Sequence, residues 1–267
     1  MSAAGLRRPG SGGEGAATAA RYRGVLFDLF GTLVRFDAER LPLLDMGTER
    51  VRTTVGGLGH VLEEWLPGAS APAFLRTLQS VSEEMARARA VDHVELPSRE
   101  RFRRVLARLG CDHERLPEAA AHLARAHMAL IAEATVFPSE HAALLKDLHR
   151  CLRLGVVSNF DDTGTAHEIL ARHGITPYLK VVVISEGMGL RKPHPALVRA
   201  GLRGLGLDAG EVLFVGDTYA EDVVAACAAG VDAAWIDARH DGPPGDETPP
   251  AYVVRRLPEV ATILGTG

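Results

Sequence analysis

Four short segments of the chain carry side chains that could act together in catalysis. They offer carboxylates, a hydroxyl and an ammonium, which are the groups used for nucleophilic attack, for holding an anion and for balancing charge. The segments are FDLFGTL at 27–33, VVSN at 156–159, RKPHP at 191–195 and GDTYAED at 216–222.

Asp28 follows a four-residue apolar run and precedes a turn with Gly31 and Thr32. A carboxylate at a strand end can attack phosphorus or carbon while the backbone N–H groups of such a turn face the substrate. We therefore expect Asp28 to be catalytic and Gly31 and Thr32 to bind substrate. Taken alone, Asp28 is equally consistent with an ordinary turn or cap aspartate.

Ser158, Asn159 and Lys192 are the next candidates. A hydroxyl and a backbone N–H at a strand end can hold a transferring phosphoryl oxygen, although a Ser-Asn turn by itself is commonly only a turn. A fixed ammonium at Lys192 would offset negative charge beside Asp28. We expect catalytic roles for Ser158 and Lys192 and substrate binding by Asn159. His194 is interpreted as a helix-start residue and not as a base.

Asp217 and Asp222 predict a metal site. Two carboxylates at a sheet edge suit a hard cation that prefers oxygen ligands and retains waters. Asp217 is expected to be a direct ligand and Asp222 to act through a water, whereas Glu221 is expected to be solvated.

The elements that position these residues alternate between strand and helix. Short apolar runs bounded by turn residues predict strands, and 3.6-residue spacing predicts helices. The strands are expected at 24–27, 152–157, 180–184, 212–215, 231–236 and 252–254. The helices are expected around 144–148 and at 163–173, 195–205, 219–229 and 257–264, with Asp161 or Asp162 capping the second. This alternation predicts an α/β fold with a parallel sheet, whose ligands bind beyond the carboxyl ends of the strands.

Residues 41–133 interrupt that alternation with three or four amphipathic helices and no confident strand. Polar residues there could contact a substrate, but a solvated helix face is the favoured interpretation. The candidates are Arg50, Arg52, Glu95, Arg99 and His127. Arg101, Arg104 and Arg108 could form an anionic-substrate clamp or a solvated stripe at i, i+3 and i+7.

The four segments, in this order, resemble those of the haloacid dehalogenase (HAD) superfamily, over residues 21–36 and 136–264. The resemblance implies a Rossmann-like core, with Asp28 as covalent nucleophile. It also implies Mg²⁺ as cofactor, held by Asp28, the Phe30 carbonyl, Asp217 and Asp222. The domains expected from it are a flexible tail at 1–20, a core at 21–38 and 136–267, and an inserted α-helical cap domain at 39–135.

Phe30 departs from the family pattern. Most HAD phosphatases have a second Asp at this position, which protonates the leaving group and later activates water. Three hypotheses follow: a phosphatase lacking the usual general acid, a 2-haloacid dehalogenase, or a catalytically weak binding or scaffold protein. The metal segment favours the phosphatase, because Asp28, Asp217 and Asp222 would repel one another without a cation. A helical cap suggests a small-molecule substrate.

The amino-acid composition limits the kinds of partner and the cellular location that are expected. Lys and Arg number 30 against 34 Asp and Glu, a formal net charge of −4, which provides no global basic field for nucleic acid. No apolar run reaches the roughly 20 residues of a membrane span, and residues 1–20 lack the apolar stretch of a signal peptide. Three separated cysteines indicate a reducing compartment, so a cytoplasmic location is expected. The sequence predicts no particular oligomeric state, and Trp65 and Trp235 are expected to pack in the core or at its edge and not to anchor an interface.

Overall fold

The computed structural model describes residues 21–240, 242 and 248–266. The predicted tail at 1–20 lies outside the described residues. So do residues 241 and 243–247 of the proline-rich stretch 237–250, which the sequence predicts to be a loop. No helix within the described ranges has the length and apolarity needed to cross a membrane.

A six-stranded parallel sheet forms the centre of the core, and it confirms the predicted α/β class. Its strands are β1 (Gly24–Phe27), β6 (Arg153–Ser158), β7 (Leu179–Ile184), β8 (Val212–Gly216), β9 (Asp232–Ile236) and β10 (Tyr252–Val254). The remaining strands are the short pairs β2 (Arg35–Phe36) with β5 (Thr135–Val136) and β3 (Leu43–Asp45) with β4 (Arg50–Arg52). The order in the sheet is β10-β9-β8-β1-β6-β7. β1 is therefore central, and Asp28 follows it at the carboxyl edge.

Helices cover both faces of the sheet. The described α-helices of the core are α5 (Ser139–Leu148), α6 (Thr163–Arg172), α7 (Ser185–Met188), α8 (Ala196–Leu205), α9 (Val224–Ala228) and α10 (Val260–Ile263). Two separate buried apolar clusters lie on the two sides of the strands. α8 lies very close to the sheet, because a Cβ added at Gly201 would be 2.8 Å from side-chain atoms of Leu26 and Val157. Burial on both faces explains why the strands are continuous apolar runs and not alternating ones.

The insertion has four helices and an apolar cluster of its own. They are α1 (Gly59–Trp65), α2 (Ala71–Asp92), α3 (Ser98–Arg108) and α4 (Leu116–Glu133). Phe74, Phe102 and Leu123 are fully buried in that cluster. β3 and β4 form an antiparallel ladder within the same segment, so the expectation of helices without strands was incomplete. Three-residue strands are too short to give a visible alternation.

Several short helical turns complete the described chain. The 3₁₀ turns are Ala38–Arg40, Thr54–Gly57, Thr176–Tyr178, Ala209–Glu211 and Leu257–Glu259, and a π-helical turn spans Tyr219–Val223. The predicted helix at 219–229 is therefore α-helical only over α9. The predicted helix at 257–264 is a 3₁₀ turn followed by α10. Trp65 and Trp235 are buried, as expected.

The insertion contacts the core again between α2 and α3. Val94 and Leu190 form an antiparallel bridge. The Arg191 N–H donates to the His93 carbonyl at 2.9 Å, and the Ser98 N–H donates to the Asp161 carbonyl at 2.8 Å. The segment 93–98 is thereby attached to two core loops that border the carboxyl edge of the sheet.

Candidate active site

Lys192 lies at the centre of the carboxyl edge and is almost fully buried. Its Nζ donates to Asp28 Oδ1 at 2.7 Å, to Asp222 Oδ1 at 2.6 Å and to the Val157 carbonyl at 3.0 Å. These three bonds use all the donors of an ammonium group. The structure thus brings together all four of the chain segments that contain the predicted site residues.

Three carboxylates surround this one ammonium. Asp28, Asp217 and Asp222 each have an oxygen within 4.8 Å of an oxygen of the others. Asp217 Oδ1 is buried and has no hydrogen-bond partner among the described residues. Each oxygen of Asp222 has a donor, since Oδ1 accepts from Lys192 and Oδ2 accepts from the Thr218 N–H at 2.9 Å. We call this cluster, with Lys192, the strand-end site.

The pKa values at the strand-end site reflect its excess of negative charge. Burial, followed by the charge of Asp28, raises the pKa of Asp217 to about 6. Burial also raises the pKa of Asp222; Asp28 adds to this effect and Lys192 opposes it. Burial alone lowers the pKa of Lys192, but Asp222 and Asp28 outweigh it and raise the pKa above its ordinary value. The lysine therefore stays an ammonium, while the carboxylates lack sufficient positive charge.

The turn after Asp28 places the predicted substrate-binding residues beside Asp217. Gly31 has a positive φ of 85°, and a Cβ there would lie 2.2 Å from Asp217 Oδ2. The hydroxyl oxygens of Thr32 and Ser158 are buried and have no partner among the described residues. Buried polar groups are normally hydrogen-bonded. A bound anion would supply acceptors for the two hydroxyls, and a bound cation would supply a partner for the Asp217 oxygen.

Asn159 holds the lysine loop in place. Its Nδ2 donates to the Lys192 carbonyl at 2.9 Å, and its Oδ1 accepts from the Lys192 N–H at 2.7 Å. Nδ2 also donates to Glu221 Oε2 at 2.8 Å. This amide positions Lys192, and direct contact between Asn159 and a substrate stays a prediction.

Phe30 places an apolar aromatic ring two residues after Asp28, where the family pattern has a second Asp. The Phe30 and Phe160 ring centroids are 4.9 Å apart, at an interplanar angle of 38°. Phe160 follows Ser158 and Asn159, so the aromatic pair lies beside both predicted substrate-contacting segments. The structure gives position 30 no side chain that could transfer a proton.

One expectation about a charged residue near the site was wrong. Glu221 is not simply solvated, since it accepts from Asn159 and forms an ion pair with Arg191 at 3.1 Å. The predicted capping of α6 by Asp161 or Asp162 is confirmed for Asp162, which accepts from the Thr165 N–H at 2.9 Å. Asp161 is buried and pairs with Arg101.

The expected helix-start role of His194 is confirmed. Its Nδ1 accepts from the Ala196 N–H at 3.2 Å, at the first residue of α8.

The insertion residues divide into exposed and buried groups. Arg50, Arg52 and Arg99 are exposed, as the solvated-face interpretation predicts. Glu95 and His127 are buried, which contradicts that interpretation. Burial, followed by the charge of nearby Arg101, lowers the pKa of His127 to about 4.

The arginines of α3 also divide into two groups. Arg104 and Arg108 form surface ion pairs with acids of the insertion, as a solvated stripe would. Arg101 faces inward, where it pairs with Asp161 of the core. The stripe interpretation was therefore wrong for Arg101.

Sequence reasoning missed a cavity of about 260 Å³ between the insertion and the core. Arg89, Arg101, Arg191 and Phe160 are among the residues that line it, and we call it the arginine cavity. One signal for Arg89 was available. It lies four residues after the buried Met85, so it continues the apolar stripe of α2 with a charge.

Comparison with known proteins agrees with the geometry. A family model described as haloacid dehalogenase-like hydrolase matches residues 22–230. Phosphoserine phosphatase of Thermus thermophilus is 34% identical over 165 residues, which cover 61% of this chain and 64% of that protein. Phosphoglycolate phosphatase of Rhodospirillum rubrum is 41% identical over 101 residues, or 38% of this chain and 41% of that protein. The chain thus spans less than two thirds of the length of these curated relatives.

Solved structures share the fold across nearly the whole chain. A 2-haloacid dehalogenase from Pseudomonas syringae pv. Tomato matches with a TM-score of 0.66 and 21% identity, covering 91% of this chain and 98% of that one. A HAD phosphatase from Thermococcus onnurineus matches with a TM-score of 0.59 and 21% identity, over the same two fractions. At such identities the likeness shows the fold alone.

Proposed function

The chain belongs to the haloacid dehalogenase-like hydrolases, and from this premise we propose that it is a magnesium-dependent phosphatase of small molecules. Relatives named phosphoserine phosphatase and phosphoglycolate phosphatase support this choice of reaction. The proposal assigns residues 21–38 and 136–267 to the core domain and residues 39–135 to a cap over the site.

One observation carries the proposal, namely the unbalanced charge at the strand-end site. Asp28 and Asp222 share the ammonium of Lys192, and Asp217 lies beside both acids with a buried oxygen that has no partner among the described residues. Removing a halide would not need a further cation beside these acids. A dianionic phosphoryl group would, because its own charge adds to theirs.

The residues present fit a magnesium ion. Asp28, Asp217 and the Phe30 carbonyl would hold it directly and Asp222 through water, since hard cations take oxygen ligands and Mg²⁺ keeps several waters. When bound, Mg²⁺ would neutralise charge on the phosphoryl oxygens and so favour their approach to Asp28.

The proposed reaction begins at Asp28. Its carboxylate attacks phosphorus, the bond from phosphorus to the leaving-group oxygen breaks, and an aspartyl phosphate forms. Ser158 and Thr32 donate their unpaired hydroxyls to phosphoryl oxygens, and Lys192 holds Asp28 in place. Water then attacks phosphorus and releases phosphate and the Asp28 carboxylate.

Phe30 limits which leaving groups depart easily. A general acid typically contributes about 10²–10⁴ in rate, and position 30 cannot supply it. A carboxylate leaving group needs no proton, so acyl phosphates should react faster than alkyl phosphates.

The same aromatic pair supports a second candidate, 2-haloacid dehalogenation. Asp28 would then attack carbon and form an ester, and halide would leave without a proton. Phe30 against Phe160 suits that reaction, and a dehalogenase is among the structures that share the fold. Dehalogenation is the less favoured candidate, because it does not account for the excess of carboxylates at the strand-end site. A catalytically weak scaffold protein is the remaining alternative.

Parallel release assays separate these functions. Phosphate release from acetyl phosphate and p-nitrophenyl phosphate, and chloride release from 2-chloropropionate, are measured with Mg²⁺ and with a chelator. We expect magnesium-dependent phosphate release that is faster with acetyl phosphate, and no chloride release.

Chloride release that persists with chelator would instead establish the dehalogenase. Neither product in either condition, from protein that melts cooperatively, would indicate the scaffold role.

A further inference from the structure

The arginine cavity adjoins the strand-end site through two loops. Phe160 lines the cavity, and its ring packs on that of Phe30, two residues after Asp28. Arg191 also lines it and directly precedes Lys192. A substrate whose phosphoryl group lies at Asp28 could therefore extend into this cavity.

The acids of the cavity lie behind its arginines. The side chains of Glu95 and Asp161 are 1% and 8% exposed, whereas those of Arg89, Arg101 and Arg191 are 13%, 18% and 19% exposed. The arginine side chains of the cavity are thus more exposed than its acids.

The buried acid from the insertion has little capacity left to accept hydrogen bonds. Glu95 Oε1 accepts from the Leu96 N–H at 3.0 Å and pairs with Arg89 at 2.7 Å. Its Oε2 accepts from Ser185 Oγ at 2.7 Å and from Arg191 at 3.4 Å. A ligand that needed acceptors from the protein would find Glu95 occupied.

The arginines retain unused donors. Each guanidinium has five N–H groups. Arg89 Nε is buried and has no partner among the described residues, and Arg101 bonds Asp161 through Nη2. Burial, the largest influence, lowers the pKa of Arg89, with Glu95 and Asp161 opposing it. An additional anion would stabilise this desolvated guanidinium further.

We propose that the arginine cavity binds a carboxylate on the leaving-group part of the substrate, with Arg101 and Arg89 as the residues that select it. This inference rests on the proposed phosphatase function. The planar fork of an arginine matches the two oxygens of a carboxylate. A cavity of about 260 Å³ lies below the usual range for drug-sized ligands, so the substrate is a small phosphorylated acid.

Calorimetry on the full chain tests the selection without turnover. Phosphoglycolate and 2-hydroxyethyl phosphate, in which a hydroxymethyl group replaces the carboxylate, are titrated with Mg²⁺ into the Asp28→Asn protein. We expect phosphoglycolate to bind at least tenfold more tightly. Adding Arg101→Met should reduce that preference to about threefold or less. Arg101→Lys keeps the charge but not the planar guanidinium group, so it should retain part of the preference. Arg104→Met is the matched control, because Arg104 lies on α3 but pairs with surface Glu100.

Equal affinity for the two compounds would overturn the inference. So would a preference that survives Arg101→Met or disappears equally in Arg104→Met. Failure of the proposed function would give a different result. The unsubstituted chain would then release no phosphate from acetyl phosphate, while the preference for phosphoglycolate in calorimetry would remain.

Discussion

The strand-end site and the arginine cavity carry opposite imbalances of charge. At the strand-end site three carboxylates lie around one ammonium, which bonds two of them, and a carboxylate oxygen of Asp217 has no partner among the described residues. In the arginine cavity the arginine side chains are more exposed than the acids with which they pair, and the Nε of Arg89 has no partner among the described residues. The first region therefore suits the proposed cation and the second the proposed carboxylate. A substrate with a phosphoryl group bound with Mg²⁺ and a carboxylate further along would satisfy both.

The two regions also differ in what holds them together. The strand-end site is built by neighbouring parallel strands, whose register fixes the positions of the aspartates. The arginine cavity is closed by side-chain pairs between the insertion and the core, such as Arg101 with Asp161. Changes in the first region should therefore affect chemistry and metal binding, and changes in the second should affect selection and the attachment of the insertion.

The largest expected effect is that of Asp28→Asn on catalysis. Removing the proposed nucleophile should lower kcat for acetyl phosphate by roughly 10³-fold or more. The same change removes one of three crowded negative charges, so the melting temperature in chelator should rise or stay constant. Phosphate release and a thermal melt on the same sample check both. Retained turnover would show that another group attacks the substrate.

Lys192→Met should cause the largest loss of stability. It deprives two buried carboxylates of their shared ammonium, and breaking a buried pair costs about 3–5 kcal/mol. Urea unfolding in chelator measures the change in free energy of unfolding. Arg104→Met, which breaks the partly exposed pair with Glu100, should cost about 0–1 kcal/mol. Similar losses in the two variants would mean that the strand-end site is far better solvated than its burial indicates.

Magnesium should stabilise the chain, and more at pH 7.5 than at pH 5. The pKa of Asp217 is raised from 3.8 to about 6, so in metal-free protein the stability from this group is present below pH 3.8 and is lost as pH rises through 6. Mg²⁺ binds the charged carboxylate, and below pH 6 it must displace a proton. At 100 times its Kd it should add about 2.7 kcal/mol at pH 7.5.

Thermal melts with Mg²⁺ and with chelator at the two pH values provide the measurement. A magnesium-induced shift of equal size at pH 5 and pH 7.5 would contradict the raised pKa. Asp217→Asn serves as the control, and the shift should be largely lost in it at both pH values.

Glu95→Gln should have the smallest effect of the four. It weakens the ion pairs with Arg89 and Arg191 but keeps the shape of the side chain, so we expect a loss of about 1–3 kcal/mol in urea unfolding. Limited proteolysis should also cut the 93–98 segment faster. Glu100→Gln on the exposed face of α3 is the matched control and should cost less than about 1 kcal/mol. Faster cleavage in both variants would mean that Glu95 has no special part in attaching the insertion.

The strand-end site was largely predictable because strand ends are visible in sequence. An apolar run that stops at Asp28, Ser158 or Asp217 marks the carboxyl edge of a parallel sheet, where such residues must converge. The π-helical turn that carries Asp222 was not predictable, because its spacing differs little from that of an α-helix over five residues.

The arginine cavity could not be predicted, since its pairs join residues far apart in the chain. Arg101 and Asp161 are 60 residues apart, and Arg191 and Glu95 are 96 apart. Neither pair lies on one helix or on neighbouring strands, so no periodicity relates them. The local indications were the charge at Arg89 in an otherwise apolar stripe and the possible anionic-substrate clamp that included Arg101.

Trapping the covalent intermediate tests the central claim most directly. The chain is mixed with acetyl phosphate, quenched in acid within one turnover, digested and examined by mass spectrometry. We predict one phosphoryl group on Asp28 that forms with Mg²⁺, does not form with chelator, and is absent from Asp28→Asn. Phosphate release without a phosphoryl group on Asp28, or labelling that is indifferent to Mg²⁺, would contradict the account.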